Sequence, residues 1–359
     1  MVVGDVHSPK GGAVNLFVAS LSHSWQPFVL ITGLLFIGHV AAREGLFESV
    51  GQLVARTPGN DLALFAVTML AVAFVTAVLN LDTAVVFMTP VALHAARARS
   101  GDDTAFAFGT ILMSNAASLL LVGSNLTNML VFATHPVRGT TFASHMALAW
   151  IASVVLTIAV VAWWRRRPLL RRATASREPV RWHLGPGTLS AVVAVALMLA
   201  TSQPALPIFF LGVVLEGVDL VVRHRVQWTE ILRVASPLVV GPLFVVAVLV
   251  GWGGRSWQTI GHLVVHSNSL ATAAIAGGLS LVINNLPAAS LFAGQPIAHP
   301  YALLLGLNLG PNAFVTGAMS TMLWFRIVRG EGLAPTMSQF VRIGIPVTLV
   351  TLGVASLLV

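Results

Sequence analysis

The chain has 359 residues, 56% of them hydrophobic and 9% charged, with a mean hydropathy of +0.87. A soluble domain carries about 25% charged residues, so a soluble globular enzyme is excluded. Cysteine is absent, which removes disulfides, thiolate metal sites and cysteine nucleophiles and leaves oxygen and nitrogen chemistry, with no cofactor and no metal expected.

The formal net charge is +8, yet Lys10 is the one lysine and the other 19 basic residues are clustered arginines. In so apolar a chain this is a topology signal, not a nucleic-acid footprint. A phosphate-binding G-x-x-x-x-G-K-[ST] loop has no place with its lysine in Pro9-Lys10-Gly11-Gly12, so the chain does not hydrolyse ATP itself. The start MVVGDVHSPKGG has no charged segment leading straight into an apolar core, and no cleavable signal peptide is read there.

A transmembrane helix needs about 20 mostly apolar residues. Residues 1–24 are read as an external segment, followed by a span at 25–42 and an amphipathic interfacial helix at 44–56 with Leu46, Phe47, Val50, Leu53 and Val54 on one face. Next, 62–79 and 84–95 flank Asn80-Leu81-Asp82-Thr83. Twelve residues reach only about 18 Å, so 60–96 is read as a re-entrant hairpin. Residues 104–133 form a long apolar segment interrupted at Gly123-Ser124-Asn125-Leu126-Thr127-Asn128, a broken helix, and 143–164 is a span. The charged, proline-containing stretch at 165–186 cannot sit in hydrocarbon and is a cytoplasmic linker. Spans follow at 187–203, 206–222 and 234–252. A second hairpin at 268–297 has limbs 269–283 and 288–294 around Asn284-Asn285-Leu286-Pro287. A second broken helix at 301–325 is interrupted at Gly310-Pro311-Asn312 and Thr316-Gly317-Ala318-Met319-Ser320, and a last span covers 339–359. The fold class is an all-α membrane protein with about eight spans, two of them broken helices, and two re-entrant hairpins.

With the linker inside, 17 of the 19 arginines fall on the cytoplasmic side; Arg138, Arg255 and Lys10 fall outside. The positive-inside rule then places both termini outside. The first hairpin enters from inside and the second from outside, so 25–164 and 187–359 are inverted repeats. At an offset of 193, SNLTNMLVF (124–132) lies over GAMSTMLWF (317–325) and Asn115 over Asn308; at 204, Asn80 falls on Asn284 and Asp82 on Leu286.

Unpaired backbone groups cost several kcal/mol in lipid, so helix breaks persist where they line a cavity or are buried in protein. Paired breaks near the midplane define the binding region of a secondary transporter. The lining residues read from this logic are Asn80, Thr83, Asn115, Ser118, Ser124, Asn125, Thr127, Asn128, Asn284, Asn285, Asn312, Thr316 and Ser320; the competing reading is that they glue helices together. Asp82 is the carboxylate placed deep in the membrane, where an acid is costly and functional by default; its competing reading is a helix cap. Glu216 and Asp219 fall near the inner end of their helix, and no arginine is placed in the cavity. His262 and His266 have metal-pair spacing but lack the acid of H-E-x-x-H, and Trp163, Trp164, Trp252 and Trp257 read as interfacial anchors.

LNLDTAVVFMTP (79–90), NAASLLLVGSNLTNML (115–130), LSLVINNLPAASL (279–291), LLGLNLGPNAFVTGAMSTMLWFRIV (304–328) and QFVRIGIPVTLVTL (339–352) together resemble the arsenical pump membrane protein family, ArsB, of the ion transporter superfamily. The resemblance covers nearly everything from Trp25 onward. It implies extrusion of arsenite or antimonite across a bacterial inner membrane, driven by protons or with a soluble ATPase partner. Asp82, a lone intramembrane acid that faces Leu286 across the pseudo-symmetry, is the candidate proton carrier on its own account. The chain departs from the family in three ways. About two further helices usually precede the region matching residue 25. Leu81 stands where some relatives have Asn. Ser124-Asn125-Leu126 and Gly317-Ala318-Met319 replace the paired Ser-Asn-Thr of sodium-coupled dicarboxylate carriers.

An arsenite substrate makes physical sense without cysteine. Arsenous acid is an uncharged trihydroxy molecule at neutral pH, which amides and hydroxyls hold as both donors and acceptors, whereas thiolates would retain it too long. A sodium/proton antiporter, an exporter of another small oxyanion or organic acid, and more remotely an intramembrane enzyme remain alternatives.

Overall fold

The computed structural model describes residues 9–99, 101–170, 183–222, 237–254, 264–293, 295 and 297–359. Arg255, Trp257, His262 and residues 1–8, 171–182 and 223–236 lie outside the described residues, and with them most of the linker and part of the external segment. Every regular element among the described residues is helical.

In chain order these are α1 (Pro9–Arg43), α2 (Leu46–Ala55), α3 (Asp61–Leu79), α4 (Leu81–Arg97), α5 (Asp103–Ala117), α6 (Leu126–Val131), α7 (Gly139–Trp164), the short α8 (Arg166–Leu169), α9 (Pro186–Ala200), α10 (Ala205–Val222), α11 (Pro237–Gly254), α12 (Ser269–Ile283), α13 (Asn285–Phe292), α14 (Pro300–Leu309), α15 (Met319–Gly330) and α16 (Met337–Ala355). Short 3-10 turns at Val122–Ser124, Gly310–Ala313 and Val315–Gly317 fill the interrupted segments. Five described helices are long and apolar enough to cross a membrane, and they include Asp61–Leu79, which length alone allows to be either a span or a hairpin limb.

Three elements differ from the sequence reading. The first helix is continuous from Pro9 to Arg43, so it runs through much of the stretch read as an external segment before a span at 25. The gap between α3 and α4 is the single residue Asn80, and α4 has 17 residues, about 25 Å at 1.5 Å per residue, not the roughly 18 Å of a 12-residue limb. The Asn80 side chain caps Thr83 N, which draws Asp82 and Thr83 into the first helical turn. In α2, Phe47 and Val54 are buried, with Phe47 stacked on Phe87 at 4.6 Å, but Leu53 is 48% exposed and so lies off the buried face.

The most enclosed helices occupy corresponding places in the two halves. All of Ala105–Ala117 in α5 and all of Ala302–Leu309 in α14 are buried. Each leads directly into an interrupted segment, so the breaks form inside the core and not at its surface. Around α5, Phe108 packs against Trp164, Trp324 and Phe340 at centroid distances of 5.7, 5.1 and 6.3 Å, joining α7, α15 and α16.

On the other side, α1 makes its most extensive contact with α10. The contact is close because both helices present glycine: a Cβ on Gly33 would sit 2.6 Å from the Ile208 carbonyl oxygen, and one on Gly212 would sit 2.9 Å from Gly33 Cα. Glu216 and Asp219, read from sequence as end-of-helix acids, are bound here. His39 Nδ1 lies 3.1 Å from Glu216, and Arg43 lies 2.8 Å from Asp219. Another ionic seam ties the far ends of α4, α5 and α15. Arg97 meets Asp103 at 2.7 Å and Glu331 at 3.1 Å, and Arg165 forks onto Asp102.

The α1–α10 geometry makes a direct prediction. Gly212→Val forces a branched side chain into backbone and should cost about 1–3 kcal/mol, lowering the thermal unfolding midpoint. Gly217→Ala on the same helix, with nothing within 4 Å, should be neutral or stabilising by up to about 1 kcal/mol. Equal midpoints for the two variants would show that the close approach is not a structural requirement.

Candidate functional site

Four chain breaks meet at one small pocket. It is lined by Leu81 and Asp82, by Asn125 to Thr127, by Asn284 to Leu286 and by Ala318 to Ser320, with Leu243 of α11 closing one side. Its volume is about 30 Å³, room for some two waters when each needs roughly 10–15 Å³.

Asparagine shapes three of the four breaks. Asn80 and Asn284 hold φ of +95° and +74° with ψ of 167° and 152°, a region nearly confined to glycine that costs about 1–3 kcal/mol. At both, the side-chain oxygen accepts a backbone N–H of the next helix: Asn80 from Thr83 at 2.9 Å and Asn284 from Leu286 at 3.3 Å. Asn125 is extended (φ −150°, ψ 144°) and accepts from Thr127 N at 3.3 Å. Ala318 repeats that backbone at φ −146°, ψ 149° without a side chain to cap α15. The N-terminus of α15 therefore meets the pocket without a side-chain cap and with the positive end of its dipole.

Of the residues read from sequence, Asp82, Asn125, Thr127, Asn284, Asn285 and Ser320 line the pocket. The Ser320 hydroxyl is buried without a hydrogen-bond partner. Asp82 makes no hydrogen bond or ion pair with any described residue, and the cap of its helix is Asn80. Asn80 and Thr83 are buried beside the pocket, the latter against Gly38 of α1, while Thr316 turns away to donate to the Leu281 carbonyl at 3.0 Å.

Asn115, Ser118, Ser124, Asn128 and Asn312 form a buried network behind the pocket. Asn115 donates to Asn312 across the two halves at 2.8 Å, and Asn312 donates to the Leu112 carbonyl at 3.0 Å. Ser118 accepts from Asn125 at 3.2 Å; Ser124 donates to the Ser118 and Leu121 carbonyls. Asn308, outside the candidate set, is the centre of this network: its oxygen accepts from Asn125 at 2.5 Å and Thr127 at 2.7 Å, and its amide donates to Asn128 at 2.7 Å. The signal for it was the alignment of Asn115 with Asn308.

A second cavity of about 360 Å³ adjoins the pocket, sharing Asp82, Leu126, Leu243 and Met319. It is almost wholly apolar, except that Arg326 lies at its edge one face along α15 from Met319, Met322 and Leu323. The expectation that no arginine borders the cavity is corrected: the helical period of α15 carries Arg326 onto this face. Among the described residues no carboxylate pairs with it. A metal-ligating group of three or more His, Asp or Glu is absent among the described residues.

Buried breaks converging on a polar pocket, inside a bundle with several membrane-crossing helices, define a multi-pass membrane transporter. The profile of the citrate transporter family, CitMHS, matches residues 2–319, and the chain belongs to this family. It is 26% identical to an arsenical pump membrane protein of Escherichia coli over 92% of this chain and 85% of that one. It is 25% identical to the arsenical pump membrane protein of E. coli K12 over 99% and 96%. The latter alignment runs to 412 positions, so the difference in length lies within it. In structure the chain resembles the Alcanivorax borkumensis YdaH transporter, with a TM-score of 0.59 at 15% identity, covering 98% of this chain and 89% of that one.

Asn308→Ala should leave three buried partners unmatched at about 1–3 kcal/mol each, visible as a large fall in the unfolding midpoint. A midpoint within a degree of the wild type would mean that the network is slack.

Proposed function

We propose that the chain is a secondary active transporter that extrudes arsenite or antimonite from the cytoplasm in exchange for protons, by alternating access of the pocket where the four breaks meet. The observation that carries this reading is the pocket's set of polar groups: three amides, two hydroxyls and one carboxyl among apolar side chains, with no cationic side chain in its lining. Such a lining suits a small uncharged trihydroxy solute, which needs donors and acceptors on all sides. The relatives named as arsenical pumps support the same substrate.

In this account Asp82 carries the coupling proton. A proton from outside neutralises the Asp82 carboxyl after arsenite leaves, the mobile helices reorient, and the proton departs inward as arsenite binds against Asn125, Asn285 and Ser320. Residues 25–164 and 187–359 act as inverted repeats, with 60–96 and 268–297 as re-entrant hairpins. The linker at 165–186 faces the cytoplasm of a bacterial inner membrane and both termini face outside. A soluble ATPase partner would dock on the linker side.

The second reading is an exporter of a small organic acid or oxyanion. Its support is Arg326 on the adjoining cavity, the uncapped N-terminus of α15 and the citrate transporter description of the family.

Uptake of arsenite into everted membrane vesicles tests the proposal. Asn125→Ala and Asn285→Ala should reduce uptake by about tenfold or more, while Asn60→Ala, which removes the α3 cap, should cost about 1 kcal/mol of stability and spare uptake. Asp82→Asn should keep binding and lose the response to an imposed pH gradient. Undiminished proton dependence in that variant would relieve Asp82 of its role, and citrate uptake without arsenite uptake would favour the second reading.

Orientation has its own test in this cysteine-free chain. Thr174→Cys should resist an impermeant thiol reagent in intact cells and react in everted vesicles. Labelling in intact cells would overturn the inverted-repeat arrangement.

A further inference from the structure

An inorganic trihydroxy solute takes its hydrogen bonds from the polar pocket, which leaves the adjoining cavity of about 360 Å³ without a role in its recognition. That cavity begins where the pocket ends. Asp82, Leu126, Leu243 and Met319 line both, so the two adjoin at these four side chains. The two compartments differ in chemistry: in the first, amide, hydroxyl and carboxyl groups stand among apolar side chains, whereas the second adds Phe28, Ile31, Val86, Met322 and Leu323 and is apolar but for Asp82 and Arg326. Met322 is 48% exposed, at the open side of the cavity, and its flexible thioether adapts to ligands of varied shape. A cavity built this way matches a small polar head joined to an apolar substituent.

Resting on the arsenite reading above, we infer that the same site takes trivalent organoarsenicals, R–As(OH)₂, with the dihydroxyarsenic head in the polar pocket and R in the apolar cavity. The head keeps two hydroxyls as donors and acceptors for Asn125, Asn285 and Ser320. The substituent replaces the third hydroxyl and points past Met319 toward Met322. Binding is reversible by construction, since the chain has no cysteine for trivalent arsenic to bond. Arg326, at the cavity's edge, favours substituents that are uncharged or end in an anion and disfavours cationic ones.

The test uses the full chain in lipid nanodiscs, in thiol-free buffer, with inorganic arsenite, methylarsenous acid and butylarsenous acid as probes, reading dissociation constants from the ligand-induced shift in unfolding midpoint. Affinity should rise from methyl to butyl by up to about fourfold per added CH₂, and Met322→Gln should flatten that rise while Met322→Leu preserves it. Arsenite binding with no dependence on R would overturn the inference and leave the arsenite reading standing. A rise that survives Met322→Gln would place the substituent in the bilayer or elsewhere and also overturn it. Binding of no probe at all would overturn both.

Discussion

A helix interrupted inside a bundle leaves backbone N–H and C=O groups that must find partners in protein, because hydrocarbon offers none. In this chain asparagine side chains meet that demand, and the rest of the architecture follows from where they stand. Asn80, Asn125 and Asn284 each accept an N–H of the helix that begins after them. Asn308 and Asn312 carry the bonding across to the other half of the molecule. An asparagine offers an acceptor and two donors on a short arm, so one residue can turn the chain, cap a helix and hold a neighbour. The strain at Asn80 and Asn284 is tolerated because each is fixed on two sides, Asn80 by its N–H on the Thr76 carbonyl and Asn284 by its amide on the Thr316 carbonyl, and both by the cap they provide.

Where the two halves depart from one another, polar groups are left free, and these are the groups that face the pocket. Ala318 adopts the backbone of Asn125 but cannot cap, which leaves the start of α15 without a side-chain cap, and the Ser320 hydroxyl is unmatched. Leu286 stands where the first half has Asp82, so a single carboxyl faces the site. Asn115, Asn128 and Asn312 bond the halves behind the pocket, Asp82, Asn285 and Ser320 line it, and Asn125 and Thr127 do both, a division that residue type alone does not reveal.

Much of this was legible in the sequence. The interruptions at 123–128 and 310–320 and the tips at 80 and 284 stand out because small and polar residues cut otherwise continuous apolar runs, and the alignments at two offsets brought Asn80 over Asn284 and Asn115 over Asn308. Burial within long helices was equally plain from composition. What escaped was set by tertiary contacts. That Asn308 bonds to Asn125, Thr127 and Asn128 depends on how α6 and α14 meet, which spacing within either segment does not fix. Arg326 was assigned to the inner surface by its charge, yet the turn of α15 lays it along the cavity with Met319 and Met322. Asp82 was placed in an open tip because its neighbours are polar, whereas the Asn80 cap winds it into α4.

The central claim is that the meeting point of the four breaks is a solute site reached in turn from the two sides of the membrane. Counterflow in proteoliposomes of the purified chain tests it most directly, with no ion gradient, ATP or partner present. Vesicles loaded with unlabelled arsenite and diluted into labelled arsenite should show saturable, transient accumulation of label that Asn285→Ala lacks. Label entering only to equilibrium, at the same rate with and without internal arsenite, would contradict an alternating site at this pocket.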